Sequence, residues 1–232
     1  MSNQRLYTSV GYLRLRQTKD GQYPVVVLNR REQLLEPGEM LLWSRLCWRF
    51  RDRVRTLREY EAAARDVSLP VQQGEFDKAL DRLMARGLIA EGAGDTQVEA
   101  LYDLMSNLYV APLDNRFLPR LAGASRLALM RRIPCSAAKK LLQKDEATDQ
   151  ERRILALTRQ ARLSTAELIK CEEVDVGRVT GEGQLMEVLY YDDETTCYNI
   201  AHLMRQSEKR DAVILAVANL YLRKQIIFQG SC

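Results

Sequence analysis

Residues 79–95 read "ALDRLMARGLIAEGAGD". Upstream, "GEFDKALDRLMAR" at 74–86 places Phe76, Leu80, Leu83 and Met84 at the i, i+4, i+7, i+8 spacing of a helix with one apolar face. Gly87 then stands where a left-handed residue closes a helix, a conformation only glycine adopts cheaply. Leu88 and Ile89 can enter a strand that covers the helix's own apolar face, and Glu91-Gly92-Ala93-Gly94-Asp95 reads as the turn beyond it. The pattern predicts a helix that folds back into a β-wing and keeps its polar side exposed.

Working outward, "LYTSVGYLRLRQTKDGQYPVVVLNR" alternates on either side of Asp20-Gly21 and predicts two antiparallel strands, 6–16 and 23–29. After Pro37-Gly38, Leu42, Leu46 and Phe50 recur every four residues beside Trp43, one face of a helix. Trp43 and Trp48 read as core. Thr56 and Glu59 have the spacing of a capping box opening a second helix, with Pro70 after it. The prediction is a mainly α protein with small β-wings, an α+β class.

Charge divides the chain. Residues 1–111 hold 16 basic and 15 acidic residues and residues 151–232 hold 11 and 12, whereas residues 112–150 hold eight basic and four acidic. That middle stretch, broken by Pro119, Gly123 and Pro134, predicts a basic helical connector over 112–149 between an N-terminal domain at 1–111 and a C-terminal one at 150–232. Its Arg126, Arg131, Arg132, Lys139 and Lys140 are candidates for phosphate contacts, which gain affinity by releasing counterions and need no base recognition. The C-terminal part repeats the pattern. Thr148/Glu151 and Ser164/Glu167 have capping-box spacing, and "VILAVANLYLRKQIIFQ" reads as a helix entering an apolar strand, with no glycine at Arg223-Lys224-Gln225.

Leu80-x-x-Leu83-x-x-Arg86-Gly87-Leu88-Ile89, following two helices, resembles the helix-to-wing junction of the winged helix-turn-helix DNA-binding regulators over residues 37–95, and more weakly over 150–230. The resemblance implies that the helix at 74–86 lies in the major groove of double-stranded DNA and offers Gln72, Gln73, Lys78, Arg82 and Arg86. Glu75, Asp77 and Asp81 on that helix depart from a typical groove reader. A second likeness points elsewhere: "VVVLN", Leu34-Leu35 and "GEMLLW" also look like the small winged domains that bind leader peptides in peptide-modification pathways. In those, a peptide adds as a strand beside the sheet and packs against the third helix. The expected function is therefore that of a noncatalytic DNA-binding transcriptional regulator, with a peptide- or protein-binding adaptor as the alternative.

Other chemistry is not indicated. His202 is the single histidine and lies five residues from Cys197, which puts the two on different faces of a helix. The glycines of "VGRVTGEGQ" match neither a dinucleotide fingerprint nor a P-loop. Five cysteines, at 47, 135, 171, 197 and 232, are spaced at least 26 residues apart, so neither a disulfide framework nor a metal knuckle is expected, and no cofactor is assigned. The longest apolar runs, such as "PVVVL", are far short of the roughly 20 residues of a membrane span. With no basic and apolar leader at its start, the chain is expected in the cytoplasm, with a homodimer allowed.

Overall fold

The computed structural model describes residues 3–19, 21–70, 74–113, 147–174, 176, 181–192 and 194–232. They form a mixed α+β protein in which helices surround three small antiparallel sheets. The connector residues Arg126, Arg131, Arg132, Lys139 and Lys140, together with Gln72 and Gln73, lie outside the described residues.

The first expected strand is two. β1 (Gln4–Ser9) and β2 (Tyr12–Thr18) are separated at Val10-Gly11, where Gly11 has φ +90° and a Cβ would lie 2.7 Å from the Val27 carbonyl oxygen. Only glycine fits this break. It sends β1 to a different partner from β2, which pairs with β3 (Gly21–Leu28), and β3 pairs in turn with β4 (Arg31–Gln33).

Helix α1 (Pro37–Leu46) starts with proline at its first position and a capping box between Glu36 and Glu39. It ends at Leu46, so Phe50 is not on its face; the Phe50 ring instead packs 5.2 Å from Tyr221. The expected Thr56/Glu59 box is also corrected. Helix α2 (Arg53–Asp66) begins four residues earlier because Asp52 accepts from the Arg55 N–H, and the Thr56 hydroxyl donates to the Asp52 carbonyl from inside the helix.

Helix α3 (Glu75–Ala85) buries Phe76, Ala79, Leu80 and Leu83. At its end Gly87 has φ +68°, its N–H donates to Met84 O, and Leu88 N–H donates to Leu83 O, the paired bonds of a Schellman closure. The expected turn at 91–95 does not form there. β5 (Ile89–Gly94) runs straight through it, paired with β1 from Gln4↔Gly94 to Ser9↔Ile89. Gly92 and Gly94 serve close packing instead: a Cβ on Gly92 would lie 2.3 Å from the Leu104 nitrogen, because helix α4 (Gln97–Met105) crosses directly over the strand.

β6 (Leu108–Pro112) follows and becomes the middle strand of a sheet completed by β7 (Leu163–Ser164) and β8 (Ile226–Ser231). Between them lie α5 (Asp149–Gln160), α6 (Thr165–Glu173), α7 (Glu182–Leu189), α8 (Cys197–Met204) and α9 (Arg210–Leu222). Both expected C-terminal capping boxes, Thr148/Glu151 and Ser164/Glu167, are formed. Where the sequence lacks a glycine, Lys224 takes φ +60°, and its N–H and that of Gln225 donate to Tyr221 O and Leu220 O, repeating the closure at Gly87.

One buried apolar cluster extends from Tyr7 and Val10 to Phe228. Polar contacts inside it knot the ends of the chain together. The Tyr221 hydroxyl accepts from Thr8 Oγ1 (2.8 Å) and from Trp48 N–H (3.0 Å) and donates to Ser9 O (3.2 Å), and Gly11 N–H donates to Phe228 O (2.7 Å).

Candidate functional site

The β3–β4 hairpin closes through Asn29 and Arg30 at φ +49° and +64°, the mirror-image turn whose twist suits a two-residue connection. The pairs Leu28↔Arg31, Val27↔Glu32 and Val26↔Gln33 set the register. In a two-residue hairpin the pair flanking the turn exchanges both backbone bonds, and such pairs alternate along the ladder. Glu32 is therefore a residue whose N–H and C=O point away from β3. Among the described residues β4 pairs with β3 alone, so this edge faces outward. Leu34, just beyond it, is 65% exposed.

Helix α3 stands beside this edge and is tied to it by arginine. Arg86 donates to the Leu34 carbonyl (2.7 Å), to Gln33 Oε1 (3.2 Å) and to Glu39 Oε2 (3.1 Å). Arg82 reaches Glu36 Oε2 at 3.2 Å and Glu39 Oε1 at 3.5 Å. The Glu39 side chain is 4% exposed, so its charge is compensated in the interior by these two guanidinium groups and by the Glu36 N–H. Asp77 pairs with Arg53, whose guanidinium also lies over the Phe76 ring. Lys78 is exposed. Of the residues expected on a recognition surface, then, Lys78, Arg82 and Arg86 share α3 and its end, and the two arginines are already bound to carboxylates of the same chain.

Three features were missed from the sequence. β4 is three polar residues, "REQ", too short to show alternation. Glu39 carries a readable signal, since Glu36-Pro37-Gly38-Glu39 has the spacing of a capping box with proline at the first helical position. The third corrects the cysteine reading. Cys197, the first residue of α8, is disulfide-bonded to Cys232, just beyond β8, with Cα atoms 6.2 Å apart. The thiol of the buried Cys171 is pushed up to about 12, chiefly by burial.

His202 is exposed on α8. Among the described residues no helix is long and apolar enough to cross a membrane. Comparison of the chain with protein-family models, with curated proteins and with solved structures found no match.

Proposed function

We propose that this chain is a noncatalytic binding protein of winged-helix type whose N-terminal unit takes an extended peptide segment as an added strand along β4, packed beside α3. The observation that carries the reading is the commitment of Arg82 and Arg86 to Glu39. For these arginines to turn toward DNA phosphates, a carboxylate only 4% exposed would lose its partners, and a hydrogen bond to a buried charge is worth about 1.5–3 kcal/mol. The other α3 charges do not make up for it, since Glu75, Asp77 and Asp81 outnumber Lys78.

The same arrangement suits a peptide. Arg86 occupies the outward Leu34 carbonyl much as a neighbouring strand's N–H would, and the polar groups of Glu32 remain available on that edge. Exposed Leu34 offers an apolar contact, and exposed Arg30 and Arg31 favour an acidic residue in the incoming segment. Main-chain bonds would supply affinity and side-chain contacts selectivity.

DNA binding is the second reading, favoured by the eight basic residues of 112–150. Selection of a random-peptide display library on the immobilised chain, with titration of labelled duplex DNA at several salt concentrations, separates the two. Enriched peptides should bind the unaltered chain and lose binding to Glu32→Pro, which removes an outward edge N–H and leaves the bonds to β3 in place. Salt-dependent duplex binding with no enriched peptide would transfer the function to the connector and α3.

A further inference from the structure

Two sulfur atoms and a buried carboxylate converge where the starts of α6 and α8 meet the end of β8, each from a different element. Cys197 opens α8, Cys232 follows β8, and Glu167 lies in the first turn of α6; their ligand atoms are all within 4.8 Å of one another. We propose that, once the disulfide is reduced, Cys197, Cys232 and Glu167 form a zinc-binding site, and that oxidation to the disulfide expels the metal.

The donor set suits zinc. Thiolate sulfur and carboxylate oxygen are its common ligands, and two thiolates select it over magnesium or calcium. The site has supporting structure. Glu167 is 2% exposed, and its Oε2 accepts from the Ser164 N–H at 2.6 Å while its Oε1 accepts from the Tyr190 hydroxyl at 2.5 Å, so the carboxylate is held in one orientation with lone pairs to spare. Its neighbour Ser164 has its hydroxyl oxygen 3.5 Å from Cys197 Sγ, placed to donate to that sulfur. Two helix N-termini, those of α6 and α8, point their positive ends at the cluster, which favours the anionic ligand forms. Cys232 is exposed, so a reductant and a metal ion can both reach it.

The chemistry balances. A dithiol reductant supplies two electrons and two protons, the S–S bond breaks and two thiols form. Each thiol then gives a proton to water as it binds zinc, and the sulfurs rotate apart to about 3.8 Å, as tetrahedral Zn–S bonds of about 2.3 Å require. Three protein ligands leave the fourth position to water. In the reverse direction, hydrogen peroxide takes two electrons from the two thiolates and two protons from the solvent, its O–O bond breaks to give two waters, the S–S bond re-forms and zinc leaves as the dication.

The test uses the full chain, reduced with a phosphine, incubated with zinc chloride and freed of unbound metal by gel filtration. Atomic emission should then find about one zinc per chain. Cobalt loading should give the thiolate-to-cobalt charge-transfer band in the near ultraviolet, and peroxide should abolish both signals. Cys197→Ser and Cys232→Ser should hold no zinc, and Cys47→Ser should retain it. Glu167→Gln keeps a capping-box acceptor and should weaken zinc binding about ten-fold or more. If either cysteine variant fails to fold, Glu167→Gln and the cobalt spectrum decide. Reduced chain that takes up no zinc, or zinc held equally by Cys197→Ser, overturns the proposal.

Discussion

Replacing Arg86 with alanine distinguishes a structural arginine from one reserved for nucleic acid. Arg86 makes three hydrogen bonds, and the one to Glu39 is charge-assisted and reaches a side chain 4% exposed. A bond to a buried charge contributes about 1.5–3 kcal/mol. The bonds to Gln33 and Leu34 lie nearer solvent, where water replaces much of what is lost, and Arg86's own side chain is 31% exposed. Arg86→Ala should therefore destabilise the fold by about 2–3 kcal/mol. Arg82 is 48% exposed and contacts Glu39 at 3.5 Å, so Arg82→Ala should cost only about 0–1 kcal/mol.

Urea unfolding followed by circular dichroism gives both values. Adding Glu39→Gln, which keeps a capping-box acceptor for α1 but removes the charge, completes a cycle whose coupling with Arg86→Ala should be about 1–2 kcal/mol. The reasoning fails if Arg86→Ala leaves stability within about 0.3 kcal/mol of the parent while weakening duplex binding, because the guanidinium would then serve the ligand and not Glu39.

Gly87→Ala and Gly92→Ala separate two uses of glycine: the first meets only Leu28 Cδ2 at 3.6 Å and should cost about 1 kcal/mol through its φ of +68°, whereas the second drives a Cβ into the α4 backbone and should cost about 3 kcal/mol. Equal losses in urea unfolding would refute that distinction. Tyr221→Phe should cost about 1–3 kcal/mol, because the Trp48 N–H and Thr8 hydroxyl lose their buried partner; an unchanged melting temperature would mean that water replaces the phenol. Leu80→Ala, at a position 5% exposed on α3, should lose about 2–5 kcal/mol as a core truncation, measured in the same unfolding series. Cys171 should resist iodoacetamide at neutral pH until the chain is unfolded, since its thiol, held near 12, stays protonated far above that pH; labelling of the native chain at this residue by mass spectrometry would contradict its burial.

What could be read from the sequence were the features set by local geometry. The apolar spacing of α3 and the glycine that closes it are both properties of a few adjacent residues, as are the Thr148/Glu151 and Ser164/Glu167 caps. Reading failed where one residue type serves two purposes. Gly92 and Gly94 look like turn residues, but their missing side chains are what let α4 lie on β5. Thr56 and Glu59 have cap spacing, yet Asp52 captures the helix start first, and Glu59 pairs with Arg49 instead. The candidate site was less legible than the fold, because Glu39 meets Arg86 across 47 residues and Cys197 meets Cys232 across 35. No local spacing encodes either meeting.

The closures at Gly87 and Lys224 share the same paired hydrogen bonds, yet the helices before them present different outer faces. α3 carries charges held by other parts of its own unit, whereas α9 exposes Leu215 and Leu222. The second helix-to-strand junction serves the fold by placing β8 against β6 and the Tyr221 hydroxyl under Thr8, Ser9 and Trp48. That knot, with the Gly11–Phe228 bond, fixes the point where the chain leaves β1 and enters the β2–β3–β4 sheet. A sheet edge anchored in this way loses little conformational freedom when a strand is added, so more of the energy of the new backbone bonds appears as affinity. On the proposed peptide-binding reading, the C-terminal half contributes by anchoring the start of the sheet that carries β4.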